Sequence, residues 1–71
     1  MTQEEVFEFL KDLADEMGIG EITLDTVIFD QMDSLDYLDL SFEIEKKYNV
    51  SINNHVSKTA TIQDIIDFIL A

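Results

Sequence analysis

The chain has no cysteine, no proline, no arginine and no tryptophan, and only two glycines among its 71 residues. The lack of cysteine removes disulfide staples, thiolate metal sites and a thiol nucleophile together, and it is compatible with a reducing compartment. With no proline, and with glycine only at Gly18 and Gly20, nothing punctuates the chain into hairpins, so its many Leu, Ile and Phe residues point to a compact helical protein. No apolar run approaches the length of a membrane span. The first segment, "MTQEEVFEFLKDLADEMG", is acidic and amphipathic where a signal peptide is basic and then uniformly apolar. A soluble, cytoplasmic protein without membrane insertion is the expectation.

Positive charge is scarce as well. Four lysines face sixteen acidic residues, for a formal net charge of −12. Such a field repels nucleic-acid phosphates and anionic lipid, and it steers basic protein surfaces toward the chain. No nucleic-acid partner is expected, and proteins with Lys or Arg patches are. High net charge also keeps a small domain soluble regardless of partner, so position along the chain has to decide what the charge is for. At this length residues 1–71 read as one domain with a thin core, near the size at which about 60% of the unfolded surface is buried.

Val6, Phe9, Leu10, Leu13 and Met17 fall at helical spacing, and Gly18 and Gly20 can end this first helix because glycine tolerates the left-handed conformation. A long loop follows over residues 19–33. Ile22, Leu24, Val27, Ile28 and Phe29 give it apolar anchors, which predicts that it packs over the bundle. The second helix starts at Asp33 or Ser34 and runs to about Tyr48. A short helical turn is predicted at residues 54–58. The last helix opens with Thr61 as N-cap and Asp64 three residues on, a variant of the capping box, and buries Ile62, Ile65, Ile66 and Ile69 on one face. The fold class is therefore all-α: a small four-helix bundle of three main helices and one short one, with a long loop between the first and second helices.

On a wheel of about 100° per residue with Ser34 at zero, Tyr37, Leu40, Ser41, Ile44 and Tyr48 of the second helix cluster at roughly 240° to 340°, an ordinary core stripe. Leu35, Leu38 and Phe42 form a second apolar strip at roughly 40° to 100°, with Asp36, Asp39 and Glu43 beside it at roughly 140° to 200°. One core face does not need so wide an apolar arc. The strip either packs under the long loop or is a docking surface with an apolar centre and a charged rim.

Ser34 stands at the head of that strip, between Asp33 and Leu35. A nucleophilic serine needs a base within reach and donors for an oxyanion; the one histidine is His55, and no glycine-rich elbow adjoins the serine. A serine that another protein modifies fits this setting better than one that reacts. The bland alternative is an N-cap, but Asp33 competes for that role and Asp36 is correctly spaced from it. The carboxylates do not make a calcium loop: counting from Asp25 or Asp33 puts Val27, Phe29 or Leu35 at ligand positions, and neither frame has the central glycine. No metal site is expected.

With these residues in view, "DSLDYLDLSFEIEKKYNVSI" followed by "TATIQDIIDFIL" resembles an acyl carrier protein, and the resemblance extends over nearly the whole chain. It implies a carrier and not an enzyme. In that family the serine matching Ser34 receives 4′-phosphopantetheine from coenzyme A, installed by a separate phosphopantetheinyl transferase, and the arm's thiol holds acyl groups as thioesters. By the same resemblance, Asp33, Asp36, Asp39 and Glu45 match acidic positions that meet basic partner surfaces, those of ketosynthases and acyltransferases among them. Leu35, Leu38 and Phe42 match the apolar contacts between those positions, and Leu40 and Ile44 match positions lining a space for the acyl chain. The resemblance implies a monomer serving fatty acid, polyketide or lipid-modifying synthesis. Gln31 and Met32 replace the glycine and small residue usual before the serine, Lys46 and Lys47 interrupt the acidic run, and "NNHVSKTA" is less acidic than its counterpart, which points to a specialised carrier. Two alternatives stand beside this: a peptidyl or aminoacyl carrier with the same arm, and a non-carrier acidic bundle that binds a basic partner and uses Ser34 as a cap.

Overall fold

The computed structural model of the chain describes residues 2–52 and 56–71. Four helices follow one another: α1 (Gln3–Glu16), α2 (Ile28–Gln31), α3 (Ser34–Tyr48) and α4 (Ile62–Leu70), with no strand among the described residues. The all-α bundle of three main helices and one short one is as the sequence predicts. The short helix is in a different place. Of the turn predicted at residues 54–58, Asn54 and His55 lie outside the described residues, and Val56, Ser57 and Lys58 are not helical. The short helix is α2, inside the long loop.

Local chemistry accounts for the ends of the long helices. The Thr2 hydroxyl accepts the Glu5 N–H at the start of α1, and Glu4 and Glu5 place negative charge where the helix dipole favours it. At the other end Gly18 adopts φ +75°, the Gly18 N–H donates to the Asp15 carbonyl and the Ile19 N–H to the Ala14 carbonyl. This is the Schellman arrangement, which satisfies carbonyls the helix leaves without partners. α3 ends on Asn49 in the left-handed conformation, with Lys46 and Lys47 in its last turn. At α4 the Thr61 hydroxyl accepts from the Asp64 N–H and the Asp64 carboxylate accepts from the Thr61 N–H, the reciprocal capping box.

The loop is stitched to the start of α4. The Ile28 N–H donates to the Ala60 carbonyl, while the N–H groups of Ile62 and Gln63, in the first turn of α4, donate to the carbonyls of Thr26 and Leu24. An antiparallel bridge, Val27 to Thr61, sits within this pattern. Donors that α4 itself cannot satisfy are thus met by the loop. α2 has no side-chain cap; it exists because Ile28 is fully buried and its neighbours close one turn around it.

All three long helices supply the core: Val6 and Leu10 from α1, Ile44 from α3, and Ile65 and Ile66 from α4, joined by Ile52 from the segment after α3. The Phe9 ring meets Tyr48 edge-on at 5.5 Å, tying α1 to α3, and the Gln63 side-chain amide donates to the Gln3 side chain across α1 and α4. Ser41, the one polar residue buried in this core among those described, donates its hydroxyl to the Leu38 carbonyl at 2.7 Å.

Charge opposes this packing. Against the net −12, the described residues form two ion pairs, Lys11 with Glu8 and Lys46 with Glu43, both exposed and each one turn apart on a single helix. Exposed pairs of this kind contribute little. Self-repulsion therefore raises the energy of the compact state, and added salt screens it. The melting temperature is expected to rise between low and moderate salt at neutral pH; a scan that shows no dependence removes the repulsion argument.

Candidate functional site

Ser34 opens α3, and the residue before it does the capping. The Asp33 carboxylate accepts the Asp36 N–H at 2.9 Å, and the Ser34 hydroxyl makes no hydrogen bond among the described residues. The side chain is exposed. A free hydroxyl at the head of a helix, with Asp33 exposed before it and Leu35 exposed after it, is the geometry of a group open to an outside reagent. The one histidine, His55, lies outside the described residues. Among the described residues no group of three or more His, Cys, Asp or Glu side chains is disposed to hold a metal ion, and no helix is long and apolar enough to cross a membrane.

The two apolar stripes of α3 separate cleanly. Tyr37, Leu40, Ser41 and Ile44 are buried, whereas Leu35 is 74% exposed and Phe42 54% exposed, with Leu38 half-buried between them. The loop does not cover this strip; its backbone is committed to α4 instead. Asp39 is exposed and Asp36 and Glu43 are half-buried along one flank, Asp33 lies above, and Glu45 is exposed near the far end. Lys46 compensates Glu43 at 3.6 Å. The candidate residues Ser34, Leu35, Leu38, Asp39, Phe42 and Glu45 thus share the outer side of the helix. Leu40 and Ile44, 3% and 0% exposed, lie on its inner side.

Two features of the site are absent from the pattern of α3 itself. Leu13, Glu16 and Met17 from the end of α1 join Asp39, Phe42 and Glu43 around a surface depression of about 370 Å³, which extends the exposed strip onto a second helix. Tyr37 donates its hydroxyl to the Ile52 carbonyl at 3.0 Å and lies against the Phe29 ring of α2, so the first buried turn below Ser34 is fastened to two other segments. Burial pushes the Tyr37 phenol above its ordinary value.

A family model described as "Phosphopantetheine attachment site" matches residues 8–69. The chain belongs to that family. Neither a curated protein nor a solved structure gives a match. Members of the phosphopantetheine attachment-site family carry covalently bound 4′-phosphopantetheine and are non-catalytic carriers, which interact with transferases and synthases. A carrier of this kind needs no catalytic base of its own.

The residues present fit the group. A phosphodiester requires an accessible hydroxyl whose removal from the protein's own bonding costs nothing, and Ser34 meets that condition because Asp33 holds the cap. The N–H groups of the first turn of α3 favour a phosphate at that end, while the Asp33 and Asp36 carboxylates oppose it. The cysteine-free chain has no thiol of its own, and a 4′-phosphopantetheine arm would supply one.

Proposed function

We propose that Ser34 bears the 4′-phosphopantetheine arm and that the chain is an acyl carrier, monomeric and cytoplasmic, serving fatty acid, polyketide or lipid-modifying synthesis. The observation that carries this reading is the exposed, unbonded Ser34 hydroxyl at the head of an acidic helix that its neighbour caps. The outer side of α3 is the partner surface. Leu35, Leu38 and Phe42 form its apolar centre, and Asp33, Asp36, Asp39 and Glu45 form a rim for basic surfaces of a phosphopantetheinyl transferase, a ketosynthase or an acyltransferase. Leu40 and Ile44 are the walls that a cargo would meet if it entered the core. The intact mass after incubation with coenzyme A and a panel of phosphopantetheinyl transferases tests the reading: a gain of one arm is expected, and no gain with any of them overturns it.

The rim can be tested apart from bulk charge. Asp36→Lys with Asp39→Lys is expected to slow transfer to or from the cognate partner by about tenfold or more, the scale on which steering acts. Glu4→Lys with Glu5→Lys makes the same change in net charge at the start of α1 and is expected to cost far less. High salt should narrow the difference by screening. Equal losses in the two double variants would show that only net charge matters.

A further inference from the structure

Tyr37 is the first buried residue of α3, one turn beyond Ser34 and about 60° round the helix from it. A group hanging from Ser34 that turned inward toward Leu40 and Ile44 would meet this ring before them. The ring is held on two sides. Phe29 lies against it with centroids 5.0 Å apart, and the hydroxyl donates to the buried Ile52 carbonyl at 3.0 Å. Beneath it Ile44 and Ile52 are fully buried and Leu40 nearly so.

An aliphatic residue at this position could swing aside to admit a chain. Tyr37 cannot do so without breaking a buried hydrogen bond, and a saturated chain brings no donor or acceptor to replace it; leaving a buried polar group unpaired costs more than the bond itself contributes. Resting on the reading that Ser34 bears the arm, we propose that Tyr37 shuts the core against the cargo. The acyl group stays outside the bundle, and the carrier serves short or polar acyl groups, which lose little by remaining in water. Long alkyl chains, whose methylenes gain most from burial, are not its cargo.

The test loads wild type, Tyr37→Phe and Tyr37→Ala with acetyl-bearing and octanoyl-bearing arms, each confirmed by intact mass. The readouts are the methyl NMR shifts of Leu40, Ile44 and Ile52 and the melting temperature. In wild type the acetyl and octanoyl forms are expected to give the same methyl shifts and to melt together. In Tyr37→Ala the octanoyl form should shift the Ile44 and Leu40 methyls and melt higher, because a chain that binds only the folded state stabilises it. Shifted core methyls and a raised melting temperature in octanoylated wild type would overturn the proposal. Tyr37→Phe keeps the ring and removes the hydroxyl, so it serves even if the alanine variant does not fold. Entry of octanoyl in Tyr37→Phe but not in wild type supports the hydroxyl as the fastening, and exclusion from both overturns that role. A chain that takes no arm at all overturns the carrier reading and this inference with it, an outcome that the mass distinguishes from exclusion of cargo.

Discussion

Ser34→Ala is expected to take no arm under conditions in which the wild-type chain takes one, and to stay within about 0.5 kcal/mol of wild-type stability, the range for surface substitutions. Both halves follow from the same geometry. If Ser34 bears the arm, as proposed, the phosphodiester needs the serine hydroxyl, which alanine lacks. Yet the hydroxyl holds nothing in the fold, because Asp33 accepts the Asp36 N–H, and alanine is the better helix former at the first turn. Asp33→Ala is the informative companion: it removes the cap, at an expected cost of about 1 kcal/mol, and leaves the Ser34 hydroxyl in place. Mass and thermal melts on the three proteins check this. An alanine variant at position 34 that still gains an arm, or that loses its helices, contradicts the account.

Ile66→Ala is expected to unfold much of the population at physiological temperature. Ile66 is fully buried on α4, and truncating such a residue costs about 2–5 kcal/mol, while a single core of this size supplies only about 3–5 kcal/mol in all. Phe42→Ala removes a larger side chain, but one that is 54% exposed, and its expected loss is far smaller. If Phe42 serves partners, the Phe42→Ala protein should melt near wild type and fail at transfer. Chemical denaturation of the two variants settles the contrast; a loss at Phe42 as large as that at Ile66 would make Phe42 part of the core.

The elements legible in the sequence are those whose causes are local. The spacing of Val6, Leu10 and Leu13, the glycine after α1, the Asp33 cap, and the Thr61 and Asp64 pair each act within a turn or two, so α1, α3 and α4 can be read, with the end of α1 and the starts of α3 and α4; the Thr2 and Asn49 caps go unread. α2 cannot. It has no cap and too few residues for periodicity, and it depends on the burial of Ile28 and on a bond to the Ala60 carbonyl far along the chain.

The site divides in the same way. Ser34 and its acidic neighbours lie in one stretch, and their face can be computed from the helical repeat. Whether Leu35, Leu38 and Phe42 lie open or covered depends on where the loop goes, and the loop's course is fixed by carbonyls of Leu24 and Thr26 meeting the start of α4. No pattern within α3 carries that information. The same holds for Glu16 and Met17 beside Phe42, and for the bond from Tyr37 to Ile52. The sequence marks Tyr37 as one more core residue, and only its partners reveal that it is fastened below the serine.

The most direct measurement is the position of the added mass. The other serines are Ser41, buried and bonded to the Leu38 carbonyl, and Ser51 and Ser57, exposed but remote in sequence from the head of α3. Fragmentation of the loaded chain by tandem mass spectrometry distinguishes the four. One arm, carried by the fragment that contains Ser34 and absent from those containing Ser41, Ser51 or Ser57, is the expected result; an arm on Ser51 or Ser57, or none on any serine, would contradict it.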